Sequence, residues 1–517
     1  MKRCIRLLAL VLAMLSVALL AVACAKPGDS ADTTTPKDAA GTTPTPGSSD
    51  TTAAVTDANG NEVGGDGVDD NGYIKDALPQ DLNYGGKKLT FLVWDGQTYE
   101  EFDAEQSGEP VENALYERNL NVETRLGVEL AFIKTKGGSS DVSAFTQKVS
   151  ADIAAGTSRE YDMIAAYSRT TAMCAYNGYC QNLLNTKYFD VDKPWWPDTL
   201  MNQSALGDKL YFCSGDISLS LFHNLDIIYV NKKLAADTGT AVDKMYQMVL
   251  DGEWTIDKMI ELTQGVYFDA NGDGVSDSED RFGFIAANTQ SQPLIWGCGI
   301  TAVDVKDGKM VISDSFTGEK MQGLLEKVFG WLHGSPDTLF ASSTGVGNTA
   351  FADGRCLFFS NIASYTMSKF KVDGLEFGIM PPPKYDERQK DYYSVMGNAF
   401  SLYAILNNGA DADMCSAVLE CMGSEGYRVL SPAVFESAMK IKYAFDDTTS
   451  KMYDIIRAGA IFDNGRIFSA VFEDKFTKTY NNAVKANNTG WMSKMAEVIP
   501  AIQSKMDDIN KKFAEMK

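Results

Sequence analysis

Between residues 87 and 168 the chain alternates three short apolar runs with two amphipathic stretches, and this alternation constrains the fold more than any other feature. "KKLTFLVW" (87–94) is a near-continuous apolar run of the kind covered on both faces of a parallel sheet. "EPVENALYERNLNVETRLG" (109–127) sets Val111, Ala114, Leu115, Val122 and Leu126 on one helical stripe, and Gly127 is placed to stop it. Strand "VELAFI" (128–133), helix "DVSAFTQKVSADIAAG" (141–156) with Val142, Phe145, Val149 and Ile153 aligned, and strand "YDMIAAYS" (161–168) complete a β-α-β-α-β unit. Right-handed crossovers turn such a unit into a parallel sheet covered by helices. Ligands of these sheets sit beyond the carboxyl ends of the strands, here "WDGQ" (94–97) and "YSRT" (167–170).

The N-terminus has a different character. Lys2, Arg3 and Arg6 precede the apolar run 7–23, which is too short and wrongly flanked for an ordinary membrane span. Small residues then lead to a cysteine, and "LAVAC" (20–24) resembles a bacterial lipobox, with Ala21 where leucine is usual. The resemblance implies a signal peptide over 1–23, a diacylglyceryl thioether and palmitate-type acylation on Cys24, and anchoring at the extracellular face of a bacterial cytoplasmic membrane. From Ala25 to about Asn71 the residues are mostly Thr, Ser, Pro, Gly, Asp and Ala, which cannot bury enough surface to offset their ordering entropy. A flexible tether over 24–84 is therefore expected ahead of a domain over 85–517, which at about 430 residues is long enough for two cores.

Composition excludes several function classes. The formal charge is −22, and losing Lys2, Arg3 and Arg6 with the signal takes it to −25; with no basic face in the sequence, nucleic acid is not an expected partner. Two of the nine cysteines belong to the N-terminal region, leaving seven. An odd count without CxxC spacing speaks against a disulfide framework or zinc site; Cys174/Cys180 and Cys415/Cys421 are spaced to bridge, but free buried thiols are expected. With His223 and His333 as the only histidines there is no HExxH helix, and GxSxG, Walker and dinucleotide glycine patterns are missing.

One motif points to a metal. "DANGDGVSDSED" (269–280) sets oxygen ligands at calcium-loop positions 1, 3, 5 and 9 (Asp269, Asn271, Asp273, Asp277), the Val275 carbonyl at 7, Gly274 at 6 and Asp280 at 12. Upstream, "WTIDKMIELT" reads as a helix capped by Thr255; downstream, "RFGFIAA" (281–287) reads as a strand. With one helix instead of two, the loop suits a structural Ca²⁺ staple better than a sensor.

Further motifs carry a family resemblance. "DKLYFCSGDISLSLFHNLDIIYVNKKLAADTG" (208–239), "GEWTIDKMIELT" (252–263), "TAFADGRCLFFSNIASY" (349–365) and "EFGIMPPPKYDE" (376–387), in this order behind a lipobox, resemble bacterial extracellular solute-binding proteins of family 1, the sugar-capturing lipoproteins of ABC importers. The resemblance implies an α/β, two-lobed periplasmic-binding-protein-like fold with several hinge crossings. It would place the first lobe at 85–212 and 394–436 and the second at 216–390 and 437–517, crossing near 214–217, 391–396 and 431–436. It further implies a monomer that captures a neutral mono- or oligosaccharide and delivers it to ABC permease subunits, with no catalysis. Sites for sugars stack aromatic rings and edge them with polar side chains. By the resemblance, Trp94, Asp95, Gln97, Tyr167, Ser168 and Arg169 line the first lobe. Asp216 stands at the hinge, and Gln292, Trp296, Asn361, Tyr365 and Phe468 lie across the cleft. Trp195 and Trp196 read as packing. A lectin-like surface lipoprotein without transport is the alternative reading, and a two-carboxylate glycosidase the next.

Overall fold

The apolar runs form strands and the amphipathic stretches helices. In the computed structural model, β1 (Lys87–Trp94), a helix over Pro110–Leu126, β2 (Val128–Thr135), a helix over Val142–Ala155 and β3 (Met163–Tyr167) follow in order. The last six residues of β1 are buried, as a strand covered on both faces requires. Gly127 ends the first helix at φ 58°, its N–H returning to the Glu123 carbonyl. Arg118 and Asn119 are also buried on that helix, a polar insertion that an apolar count passes over. The structure describes residues 67–516, apart from 70, 98, 367, 371, 398 and 437–446. The expected signal peptide, Cys24 and the tether up to residue 66 lie outside them.

The later strands are β4 (Asp226–Asn231), β5 (Phe282–Ala286), the hairpin β6 (Val303–Lys306) and β7 (Lys309–Ile312), β8 (Thr338–Phe340), β9 (Cys356–Ile362), β10 (Phe377–Met380), β11 (Ser394–Val395), β12 (Ser401–Ile405) and β13 (Ala460–Ile461). One sheet has the order β12-β3-β1-β2, with β1 parallel to β2 and β3 and β12 antiparallel to β3. The other has the order β10-β4-β9-β5-β8, with β4 antiparallel to both neighbours and β5 parallel to both of its own. Both sheets belong to one unit, Ala54–Lys517. The chain leaves the first sheet after β3, enters the second at β4 and returns between β10 and β12. These crossings touch, since Cys213 bridges Tyr403 and Leu225 bridges Met396, both antiparallel.

Local choices fit this layout. The Thr255 side chain caps the helix Ile256–Thr263, accepting from the Lys258 N–H at 3.2 Å. A Cβ on Gly283 would lie 2.5 Å from that of Thr263, so only glycine lets β5 approach this helix. Trp195 and Trp196 are buried against Gly423 of the helix Ala412–Glu425, and Trp196 Nε1 donates to Glu420 at 3.2 Å. The C-terminal helix Trp491–Glu515 buries Trp491, Met495, Ile502, Met506, Ile509 and Phe513. All seven described cysteines are buried free thiols, and no described helix is long and apolar enough to cross a membrane. One boundary needs correction: Ile74 and Leu78 are buried and Asp76 pairs with Arg125, so packing begins ahead of residue 85, where the tether was expected to end. Two apolar residues and one ion pair suffice to hold a segment whose composition otherwise reads as linker.

Candidate functional site

The parallel pairing of β1 and β3 sets their carboxyl ends side by side, so Trp94 and Tyr167 stack at 5.3 Å between ring centroids and 18° between planes. Trp94 is only 3% exposed. Gly96 and Gly137 close on its ring and Cβ so tightly that an added Cβ would lie within 2.5 Å. Its Nε1 donates to Ser401 Oγ at 2.8 Å. Trp94 therefore sits as a packed strand end in this conformation, with little open face.

Ser401 Oγ in turn donates to Glu101 Oε2 at 2.8 Å, and Glu101 Oε1 accepts from Ser218 and from Ser220, the latter at 3.1 Å. Glu101 thus ties the loop after β1 to both crossings. Burial pushes its carboxyl above the usual range despite these bonds. Buried Arg118 donates to the Ile217 carbonyl at 2.5 Å. From the same loop, Gln97 Nε2 donates to the Ala399 carbonyl at 2.7 Å, and the Tyr99 hydroxyl accepts from Asn224 Nδ2 at 3.1 Å. Tyr99 also packs edge-on against His223 at 4.2 Å. Both His223 ring nitrogens are buried without a hydrogen-bond partner among the described residues, and burial lowers its pKa to about 4.

Opposite this framework lies a second polar cluster. Trp296 Nε1 donates to Asp463 Oδ2 at 2.7 Å, and Asp463 also accepts from the Ala302 and Gly465 N–H groups at 2.6 and 2.7 Å. The Arg466 guanidinium lies 4.5 Å from the centroid of the Trp296 ring, with Nη1 3.5 Å from Gln292 Oε1. Gln292 Nε2 donates to Asn481 Oδ1 at 2.8 Å. Tyr167 from the first sheet and Asp226 at the head of β4 both interact electrostatically with Arg466. Burial pushes Asp226 up to about 7, Arg466 opposing the shift. Arg169, two residues beyond Tyr167, pairs with Asp474 at 2.7 Å. A cavity of about 10 Å³ beside Gln292, Trp296, Arg466 and Tyr480 has room for about one water.

The structure thus stacks Trp94 on Tyr167, gathers Tyr167, Gln292 and Trp296 around Arg466 and holds Arg169 against Asp474. Other expected site residues go elsewhere. Asp95 is exposed, and its N–H donates to the Thr135 carbonyl at 3.0 Å; Ser168 is buried with its N–H on the Phe400 carbonyl at 2.8 Å. Asn361 Nδ2 donates to Asn348 Oδ1 at 3.0 Å, and Tyr365 packs edge-on against Phe370. The expectation for Phe468 is corrected: it is fully buried between Phe212 and Phe513, because the helix Asn464–Ile467 turns Arg466 toward Trp296 and Phe468 into the core. Asp216 accepts from Ser431 Oγ at 2.8 Å, stands 3.5 Å from Arg457 and is pushed up to about 6 by burial. It lines a cavity of about 490 Å³ with Trp195, Asp198, Leu225, Asp454 and Arg457. Leu221 and Leu225 face that cavity while Asn224 of the same segment reaches Tyr99, so the crossing separates it from the strand ends. The larger void is not where a parallel sheet places its ligand. Sequence reasoning missed Glu101, Asn224, Asp226, Asp463 and Arg466. The signals were a carboxylate heading the apolar run "IIYVN" and a lone arginine inside "NGRIFS".

In the acidic loop, Asp269 accepts from the Gly272 and Gly274 N–H groups at 2.7 and 2.9 Å, and Asp273 from the Val275 N–H at 2.7 Å. Buried Asp280 accepts from the Ala270 and Asp277 N–H groups and from the Tyr267 hydroxyl. Gly272 and Gly274 take φ values of 75° and 74°, which their lack of Cβ permits. A bridge between Phe268 and Arg281 closes the loop. In this arrangement no three carboxylate, histidine or cysteine side chains among the described residues converge as metal ligands.

No family model matches the chain, and the search of curated proteins found no relative. Solved structures do match. A cyclo/maltodextrin-binding protein complexed with maltotetraose aligns at TM-score 0.54 and 13% identity, covering 82% of this chain and 98% of that one. The galacto-N-biose-/lacto-N-biose I-binding protein of the ABC transporter from Bifidobacterium longum, in complex with lacto-N-biose, aligns at 0.54 and 15%, covering 83% and 98%. The GacH receptor of Streptomyces glaucescens, solved unliganded and with acarbose, aligns at 0.51 and 14%, covering 82% and 99%. At such identities the likeness is one of fold: this chain has the α/β, two-lobed periplasmic-binding-protein-like architecture.

Proposed function

We propose that the protein is a solute-binding lipoprotein that captures a neutral carbohydrate between two lobes, without turnover, and presents it to the permease of an ABC importer. The observation that carries this reading is the cluster of mixed charges at the strand ends. Arg466 and Arg169 face Asp226, Asp463 and Asp474 beside the rings of Trp296 and Tyr167. Two guanidiniums against three carboxylates offer an anionic ligand no net attraction, whereas hydroxyl groups can bond to either kind of partner. The solved structures that share the fold include proteins complexed with maltotetraose and lacto-N-biose, which adds support. The void at Arg466 is too small for a sugar, so entry requires the lobes to part about the paired crossings, and ligand contacts to both lobes then favour closure. In this reading the first lobe comprises 85–212 and 394–436 and the second 216–390 and 437–517. Cys24 carries the lipid on the outer face of the cytoplasmic membrane, and the protein works as a monomer.

Thermal-shift screening of the purified chain against a glycan panel, followed by small-angle scattering with each sugar that binds, tests the reading. A stabilising sugar that also compacts the protein is expected. Catalytic cleavage of a bound oligosaccharide, or binding with no compaction, would overturn it.

We also propose that the 269–280 loop holds one Ca²⁺ through Asp269, Asn271, Asp273, the Val275 carbonyl, Asp277 and Asp280. Support comes from the hard oxygen donors, their order along the loop and the left-handed turn at Gly274. The N–H bonds to Asp269 and Asp273 leave lone pairs over for a cation, although the side chains must converge to use them. Extracellular calcium sites typically bind with Kd of about 10⁻⁴–10⁻³ M, so a site of modest affinity would suffice outside the cell.

A further inference from the structure

Asp226 and Arg466 are opposite charges buried in the same place and not joined. They are 8% and 7% exposed, and each acts electrostatically on the other, yet they do not come within the 4.0 Å of an ion pair. The Asp226 carboxylate accepts no hydrogen bond among the described residues, and the Arg466 Nε–H finds no acceptor. Their positions are well determined by the fold. Asp226 heads β4, pairs with Ile362 at the end of β9, and follows directly on the Leu225–Met396 bridge of the crossings. Arg466 is held over Trp296 by the short helix that follows Asp463. Buried polar groups are nearly always satisfied, and a carboxylate and a guanidinium N–H left unpaired in one cluster call for a partner that can serve both.

Resting on the carbohydrate reading above, we propose that Asp226 and Arg466 hold two adjacent hydroxyls of the bound sugar and so decide which sugar is accepted. One hydroxyl donates to the Asp226 carboxylate and its neighbour accepts from the Arg466 Nε–H. A hydroxyl is the uncharged group that can both donate and accept. A carboxylate on the ligand would suit Arg466 and be repelled by Asp226, and an ammonium group would meet the reverse. The pair thus selects a vicinal diol of a neutral sugar over uronic acids and amino sugars. The small cavity beside Arg466 also has room for one water, which is the competing occupant.

The test is calorimetric titration of the full-length chain with maltose, maltotetraose, lacto-N-biose, cellobiose and xylobiose, then with monodeoxy analogues of the tightest binder. Variants Asp226→Asn, which keeps the shape, and Arg466→Lys are measured alongside with their melting temperatures. Two neighbouring deoxy positions should each weaken wild-type binding roughly ten- to hundredfold, the range for one hydrogen bond to a charged group. Asp226→Asn should weaken the parent sugar by a similar factor, keep its melting temperature and erase the penalty at one of those positions only; Arg466→Lys should erase the other. If both variants bind every sugar as wild type does, or both deoxy penalties persist in them, only water lies between the residues and this proposal is overturned while the carbohydrate reading stands. If wild type binds a sugar and no deoxy position matters, the proposal is likewise overturned. Failure of every panel sugar to bind wild type overturns the carbohydrate reading, and this inference with it.

Discussion

Glu101 is the residue whose replacement tests how the strand ends are tied to the crossings. Its carboxyl accepts from Ser218, Ser220 and Ser401, and Ser401 in turn accepts the Trp94 indole N–H. In Glu101→Gln an amide nitrogen must face one of these serines. Turned toward Ser401, it presents a donor to a hydroxyl that already accepts from Trp94 and robs that hydroxyl of its own acceptor. A lost hydrogen bond to a charged group is worth about 1.5–3 kcal/mol, which is the expected destabilisation. Glu101→Ala removes all three acceptances and leaves buried Arg118 without its counter-charge, for which about 3–5 kcal/mol is expected. The Ser218 and Ser220 hydroxyls, 2.6 Å apart, recover part of this by bonding each other. The pH dependence has a definite sign. Burial raises the folded pKa of Glu101, so its contribution to stability is full below the unfolded pKa and is lost as pH rises through the folded value. Glutamine does not titrate, so the deficit of Glu101→Gln should narrow toward high pH. Urea unfolding of wild type and both variants at several pH values, followed by tryptophan fluorescence, measures all three quantities. Both variants lying within about 0.5 kcal/mol of wild type, as surface substitutions do, would refute the reasoning.

Three further outcomes are expected. Glu420 is pushed from 4.5 up to about 8 by burial, outweighing its bonds from Trp196 Nε1–H and the Asp190 N–H; at roughly 1.4 kcal/mol per unit, wild type should lose a few kcal/mol of stability as pH rises across that window, and Glu420→Gln should not. Urea midpoints at pH 5 and pH 8 check this, and an unchanged gap between the two proteins contradicts it. Calcium at about a hundred times Kd should stabilise the wild type by about 2.7 kcal/mol. The chelator-sensitive rise in melting temperature should vanish in Asp269→Ala/Asp273→Ala, and a double mutant that keeps it shows the loop to be only an acidic turn. Metabolic labelling with a fatty-acid analogue should mark wild type and spare Cys24→Ser, and label persisting in that variant would refute anchoring at this position.

Much of the first sheet was legible because its elements carry complete local signals. The apolar run of β1, the stripe on Pro110–Leu126 and the stop at Gly127 each depend on neighbours within one or two turns of chain. The helix ahead of the acidic loop and the strand after it were readable for the same reason, through Thr255 as cap and Gly283 as a helix breaker. The site was legible only in part. Trp94 and Tyr167 were placed at strand ends by the β-α-β-α-β pattern, but whether their rings stand open or stacked depends on Gly96, Gly137 and Ser401. Arg466 lies in the short helix Asn464–Ile467 and Phe468 caps its end two residues on, and sequence alone does not show which of them faces the core.

By itself the sequence determined the strand and helix periods, the acidic loop, the charge balance and the order of motifs along the chain, all of which are properties of short windows or of composition. The tertiary structure alone decided that Glu101 would be shared by serines more than a hundred residues away, and that Arg466 would lie on Trp296 with Asp226 near and unpaired. The physical reason is that burial and pairing of a polar side chain depend on which distant segments pack around it. Its desolvation, its partners and its pKa therefore exist only once two sheets and their crossings have closed on one another.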